Sequence, residues 1–420
     1  MGSPLALPAF VVINIMAGFI LILYVLLPLF YWNNVYDAKR FPIFSSSIFD
    51  ADGQFYNVSR VLDIKSLTFN EEAYDNYSRL YFSASLLLSY GFTLASVSSS
   101  ISHVALFYGV KQINMATICH CISASNTSIL LAGALVFIFL PLEGVMEATT
   151  SSGFSTSVLL EIIIGYLQSG KPIANITFAS YAFNALNTAK YFIIEFKLAH
   201  YMKIPPKVMF LIQVLGTLLA TSVNFGISWW FLYSVENLCH PELLPKGSPW
   251  TCPWEKRSFA LGVTWGVIGP TRMFYPHGTY SIIFVFVIIG FLAPVGVWML
   301  SRAYPEKTWI RLINWPVIFG VGNFVPPATT VNVWSWFIFG LIFNYFIFQR
   351  FKGWWARYNY VLSNGLDSGA SLLTIFITLF LQFRGIYGPN WWGLQMDDHC
   401  PLAHCPTAPR VVVEGCPLIN

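Results

Sequence analysis

Four carboxylates stand in stretches of sequence that otherwise carry almost no charge: Glu143, Glu147, Glu161 and Asp367. A charged side chain at the centre of a bilayer costs roughly 3 kcal/mol or more, so such residues are usually kept for an ion pathway, a relay or a ligand. Glu143 and Glu147 are four residues apart, and a helix would set both on one face. Glu161 interrupts the apolar run Val158 to Leu167, and Asp367 lies inside the last long apolar stretch. Two kinds of chemistry suit these groups, reversible proton uptake and the holding of a substrate amine. A low-dielectric setting favours the neutral carboxyl, as a proton carrier working near neutral pH requires. The plainer reading is a carboxylate paired with Lys or Arg at a helix interface, and from sequence both stay open.

Other chemistry finds little support. The chain has no P-loop, no His-Glu-x-x-His and no Gly-x-Ser-x-Gly, and Gly320-Val321-Gly322 lacks the rest of a dinucleotide fingerprint. His399-Cys400 and His404-Cys405 are five residues apart with Pro401 between, unlike the spacing of a closed zinc site. A membrane-embedded transferase would need a His/Asp or paired Asp constellation beside an apolar cavity. The nearest candidate, Asp397-Asp398-His399, falls in a polar tail. Neither an enzyme nor a cofactor or metal site is expected.

The elements that must position the four carboxylates are legible in the charge map. With 23 Lys/Arg and 19 Asp/Glu in 420 residues and a 56% hydrophobic composition, the chain has too little charge for a soluble surface. Mean hydropathy is +0.60. Charge-free runs cover Met1 to Tyr36, Leu80 to Val110, Val208 to Val235, Met273 to Ser301 and Leu312 to Gln349. Each exceeds the roughly 20 residues that a helix needs to cross hydrocarbon. Backbone groups in lipid must bond internally, and uninterrupted apolar runs favour helices over barrel strands. The expected fold is all-α: a polytopic integral membrane helical bundle with broken or re-entrant segments. The net charge of +4 is spread along loops, so nucleic acid is not an expected partner, whereas the lipid bilayer is.

Six crossings are expected, within Ala6 to Trp32, Leu80 to Val110, Val208 to Tyr233, Thr279 to Leu300, Trp334 to Phe348 and Tyr360 to Phe383. Three further segments read as broken. Ile129 to Leu142 is too short to cross alone without Thr127 and Ser128, and beyond Pro141 the pattern is interrupted by Glu143, Glu147, Glu161, Gly153, Gly165, Gly170 and Pro172. Ser258 to Thr271 reads as re-entrant, and Trp315 to Val331 carries Pro316, Gly320, Gly322, Pro326 and Pro327. Irregular backbone at membrane depth is tolerated where protein or water covers it, which makes the first of these regions a candidate pore or binding lining. Asn33 to Arg79 is a polar segment with glycosylation acceptors Asn57-Val58-Ser59 and Asn76-Tyr77-Ser78, used only if that side is lumenal. The Ser-rich run around Ser89, Ser96 and Ser98 to Ser100 reads as close helix packing. Arg350, Lys352 and Arg357 place their loop in the cytosol by the positive-inside rule, which puts the Cys/Pro-rich tail, residues 384 to 420, outside. Seven cysteines leave at least one unpaired. Whether the five in Pro-rich loops pair or stay reduced depends on the side they occupy.

The stretch Lys197 to Lys207 ends one polar segment and opens the next span. Within it Pro205 and Pro206 stop a helix from running backward, and Lys203 and Lys207 hold that end at the headgroups. This stretch, with Lys203-Ile204-Pro205-Pro206-Lys207 at its core, resembles a signature of the oligopeptide transporter family. The resemblance continues through Gly165-Tyr166, Gly170-Lys171-Pro172-Ile173-Ala174-Asn175, Gly247 to Pro253, Trp265 to Pro270, Trp309 to Asn314, Pro326-Pro327-Ala328-Thr329 and Tyr358 to Ser363. The tail from Asp397 is similar to that of plant members.

The resemblance implies one transmembrane transporter-like domain over residues 1–420. It further implies proton-coupled import of small peptides, glutathione-like compounds or peptide-like metal chelates, by alternating access across the plasma membrane. Peptides or chelates and protons are then the partners. This chain departs from the family pattern in four ways. It resembles a typical member from the middle onward, without the Asn-Pro-Gly motif of the N-terminal part. Gln112 to Ser128 is short and uncharged where the family has a basic linker. Glu143 and Glu147 stand at positions that are mostly neutral or amide. Lys207 replaces the usual Arg, which keeps the charge and loses the planar fork. The alternative expectation is therefore a truncated, transport-incompetent chain that at most associates with full-length transporters.

Overall fold

The computed structural model describes residues 3–63, 68–109, 128–201, 203–239, 243–244, 248, 250, 252, 258–274, 278–325, 330–386, 405–409, 411–413 and 416. The segments holding Cys119, Cys121, Pro326-Pro327 and Asp397 to His404 lie outside them, and with them the Asp397-Asp398-His399 and His399-Cys400 readings. Among the described residues seven helices are long and apolar enough to cross a membrane. The chain is thus an all-α polytopic membrane bundle.

α1 (Ala9–Trp32) opens the bundle. A polar cap follows, made of two small antiparallel pairings, β1 (Ile48–Phe49) with β4 (Tyr81–Phe82) and β2 (Leu62–Asp63) with β3 (Thr68–Phe69), and the short α2 (Glu71–Tyr77). Then come α3 (Ala84–Tyr108), α4 (Ser128–Thr150), α5 (Ser157–Leu167), α6 (Pro172–Tyr201) and α7 (Pro206–Ser234). α8 (Ser258–Ile268) is an 11-residue half-helix, buried from Gly262 onward. The set closes with α9 (Ile283–Ala303), the half-helix α10 (Trp315–Gly320), α11 (Thr330–Arg350) and α12 (Lys352–Phe380).

α3 is the central rod, buried over most of its length, and its sequence explains why. Small residues let neighbours approach. Gly91 faces the Phe286 ring and Gly290 of α9 lies against Ala95 and Ser98, so α3 and α9 pack backbone to backbone. The serines do more than thin the helix. The Ser89 hydroxyl donates to the Gly322 carbonyl at 2.7 Å, that of Ser96 to Pro316 at 2.9 Å, and that of Thr93 to Asn323 Oδ1 at 2.9 Å. The first two bonds satisfy carbonyls of α10 and of the turn after it, and the third fixes the Asn323 side chain. At the other end of α10, Asn14 of α1 donates to Leu312 O at 2.8 Å and accepts from Asn314 N at 2.9 Å. Asn314 in turn caps α10 by accepting from Val317 N.

Two helices differ from the sequence expectation. α4 does not stop near Pro141 but continues to Thr150 and carries Glu143 and Glu147 on its last two turns. An interior proline removes one backbone donor, a loss that the surrounding helices tolerate. The break comes later, at residues 151–156, before α5. α6, 30 residues long, reads in sequence as a polar segment because Asn184, Asn187, Lys190 and Glu195 are interspersed among its apolar residues.

The tail returns to the cap. Thr407 and Ala408 donate their amides to Lys39 O at 2.9 and 2.8 Å, Gln54 donates to Val412 O at 2.8 Å, and Tyr31 Oη lies 2.9 Å from Thr407 Oγ1. Disulfides join Cys405 to Cys416 and Cys239 to Cys252. Asn57 and Asn76 are exposed on this same cap.

Candidate functional site

Where the helices break, a cavity of about 460 Å³ opens between α4, α5, α6, α8 and α10. That size is within the range of small-molecule sites, about 300–1,000 Å³. Each wall has its own sequence logic. On α6, residues Ile176, Ser180, Asn184, Asn187 and Lys190 recur at spacings of three and four, so one helix face turns this mixed set inward. The connector Ser152-Gly153-Phe154-Ser155 leads into α5, whose first residue Ser157 and, one turn on, Glu161 both line the cavity. α8 presents Ser258, Leu261 and Gly262, and α10 with its following turn presents Pro316, Gly320 and Asn323. The N-terminal ends of α5 and α8 thus open on the cavity, and the free amides of such ends favour anionic or carbonyl groups.

The walls are fixed by close approach and by buried amides. Gly165 of α5 faces the Trp265 carbonyl oxygen and the Pro270 ring, and Gly266 of α8 rests on Asn175 and Pro172. Asn175, fully buried, donates through Nδ2 to Glu161 O at 3.1 Å and to Trp265 O at 3.4 Å. One side chain therefore ties α5, α6 and α8 together and places Glu161. Asn323, which also lines the cavity, is held by Thr93 from α3.

Charge gathers at one side. Lys190 Nζ lies 3.8 Å from Glu143 Oε2, with the Glu143 side chain 2% exposed and that of Lys190 16%. The separation is an ion-pair distance, too long for a hydrogen bond. Glu147, half-buried one turn along α4, approaches the same lysine. A methyl group added at Gly153 would meet Glu147 Oε2 at 3.2 Å and Lys190 Nζ at 3.3 Å. Glycine at 153 therefore leaves room where the two charges converge. A buried ion pair is costly to form and more costly to break by removing one partner, which leaves a bare charge.

The structure thus brings Glu143, Glu147 and Glu161 to one cavity and its rim. Asp367 lies elsewhere, exposed on α12. The Lys203 to Lys207 motif forms the turn between α6 and α7, with Lys203 in the left-handed conformation (φ 58°) and Pro205 at the cap of α7. Lys190, Asn184, Asn187 and Asn323 were not singled out from sequence. The signal for the first three was there, a three-residue spacing of polar groups in an otherwise partly apolar stretch. No group of three or more His, Cys, Asp or Glu among the described residues is arranged to hold a metal ion, and Cys405 is taken up by its disulfide.

The cavity wall thus carries a cation, Lys190, and an anion, Glu161. The model of the family described as OPT oligopeptide transporter protein matches residues 1–119 and 112–381. The chain is 42% identical over 465 aligned residues to Oligopeptide transporter 1 of Arabidopsis thaliana and equally to Oligopeptide transporter 5, with 100% of this chain and 62% of each relative covered. Oligopeptide transporter 3 of the same plant is 39% identical, again over 62% of its length. The chain spans less than two thirds of the length of these curated relatives. No solved structure matches it. A family model matched along most of the sequence, and relatives aligned from end to end of it, show that the chain belongs to the oligopeptide transporter family.

Proposed function

We propose that this protein is a proton-coupled secondary transporter that carries small peptides, or peptide-like metal chelates, across the plasma membrane through the cavity between α4, α5, α6, α8 and α10. The observation that carries this reading is the combination of a cavity of about 460 Å³ at the breaks of the bundle with Glu161 and Lys190 at its wall and Glu143 paired to that lysine. Discontinuous helices meeting at mid-membrane are the usual setting of a transporter's binding site, because their ends supply amides and carbonyls that no intact helix offers. The proton-carrying role falls to Glu143 and Glu147, with Glu161 reaching the substrate directly. The membrane potential adds about 2.3 kcal/mol per charge for each 100 mV.

A second reading, in which the chain works only in association with a longer transporter, is favoured by one feature: α7 and α12 bury almost none of their apolar surface. Uptake separates the two. In transport-deficient cells expressing this chain alone, with surface delivery confirmed, a labelled tetrapeptide is expected to enter faster at about pH 5.5 than at about pH 7.5, where fewer carboxyl groups are protonated. A protonophore should abolish the difference. Absence of uptake at both values, with the protein at the surface, would reject autonomous transport and leave the associative reading.

A further inference from the structure

We infer that Lys190 is the docking point for a carboxylate of the substrate, the C-terminal carboxylate of a peptide, and that Glu143 and Glu147 hold its place when no substrate is bound. The inference rests on the peptide reading above and deepens it. Among the described residues Lys190 is the one cation lining the cavity, and Glu161 the one anion. Its ammonium sits at the rim where α4 meets α6, 3.8 Å from a carboxylate that is itself 2% exposed. Glu143 thus lies behind Lys190, away from the cavity, and contributes no lining surface. A ligand approaching from the cavity meets the lysine first.

The surroundings suit a carboxylate. Asn187 and Asn184 stand about one and two turns before Lys190 on the same face of α6, and Ser155 and Ser157 mark the amino end of α5, all lining the same space. Gly153 keeps the gap beside the ammonium free of any side chain. Glu161, one turn into α5, offers an acceptor for the ammonium at the other terminus of a short peptide.

Charge balance then links the carboxylate to the proton. Glu143 and Glu147 approach Lys190 from α4, and Glu161 of α5 lines the same cavity. On α6 itself, Glu195 is engaged by Gln213 of α7 at 2.7 Å, and Tyr191 places its ring 5.8 Å from the lysine nitrogen. α8 and α10 line the cavity without an ionisable side chain among their described residues. α3, packed on α4, carries His103 stacked on Phe107. Two carboxylates already hold this lysine, so an incoming third is repelled until Glu143 or Glu147 takes up a proton and gives up its hold. Substrate and proton enter the site together.

The test is calorimetric binding of tetra-alanine and of its C-terminal amide to the purified full chain. The free acid is expected to bind at least about tenfold more tightly than the amide, the loss expected when a hydrogen bond to a charged group is removed. The preference should persist in Lys190→Arg and vanish in Lys190→Gln. In the Glu143→Gln/Glu147→Gln double variant it should persist while its strengthening at acid pH disappears. Equal binding of acid and amide to the unaltered protein would overturn the inference and leave the peptide reading standing. Failure of both forms to bind would overturn both. Because the acid-to-amide ratio is read first on the unaltered protein, poor folding of a variant does not shield the inference.

Discussion

Gly290→Leu is expected to abolish recovery of monodisperse protein, whereas Gly296→Leu, less than two turns further along α9, is expected to leave it unchanged. The contrast follows from what each position faces. A Cβ at Gly290 would lie 2.5 Å from the Ala95 carbonyl oxygen and 2.8 Å from the Ala95 Cα, with the Ser98 hydroxyl closer still. Two of these atoms are backbone, so they cannot turn aside, and α9 must separate from α3 along their whole contact. Overpacking a close-packed site costs about 1–3 kcal/mol and occasionally more. Here the contact belongs to the central rod, and the upper end of that range is expected. At Gly296 nothing lies within 4 Å of the added atom. Size-exclusion profiles and thermal melts of the two variants check this. Equal behaviour would mean that α3 and α9 do not pack as described.

Asn14→Leu should lower thermal stability markedly and impair transport out of proportion to its distance from the cavity. One amide on α1 satisfies both the Leu312 carbonyl and the Asn314 amide, 298 and 300 residues away, at the start of α10. Leucine would fill the space and leave without their side-chain partner two backbone groups, of which the Asn314 amide is buried. Each unsatisfied group costs about 1–3 kcal/mol. α10 would shift, and with it Asn323 at the end of the following turn, which closes one side of the cavity. Melting temperature and peptide uptake, measured on the same preparation, test both parts. An Asn14→Leu variant with unaltered stability would show that α10 is held by other means.

Much of the bundle was legible because lipid imposes one rule, that long charge-free runs become helices, and α1, α3, α7, α9 and α11 obey it, while α12 is apolar enough despite Asp367. The breaks at α8 and α10 were legible through Gly and Pro. What the rule could not reveal was α6, since the polar residues on its cavity face are interspersed among apolar ones and average out to a mixture. The same averaging hid Lys190, without which Glu143 and Glu147 read equally well as ion-paired or as proton carriers. In the structure Glu143 is paired, and its partner lines the cavity. Cysteine pairing was similarly undecidable in one dimension. Cys405 and Cys416 meet because the tail folds back on Lys39 and Gln54, contacts spanning more than 350 residues that no local pattern encodes. The serines of α3 read as packing residues, and they do pack. Their hydroxyl bonds to α10 could be anticipated only once α10 was known to need them.

The central claim is that a peptide occupies the cavity between α4, α5, α6, α8 and α10. The most direct measurement is the rate at which a small thiol reagent labels Asn184→Cys, in a background where cysteines outside the two disulfides are changed to Ser, with and without a tetrapeptide. Asn184 is exposed on the cavity face of α6. A bound peptide should slow its labelling, while a cysteine placed at Leu215, on the exposed surface of α7, should react at the same rate either way. Protection at residue 184 and none at 215 is the predicted result. Equal labelling of residue 184 with and without a peptide that is demonstrably transported would place the substrate elsewhere and contradict the account.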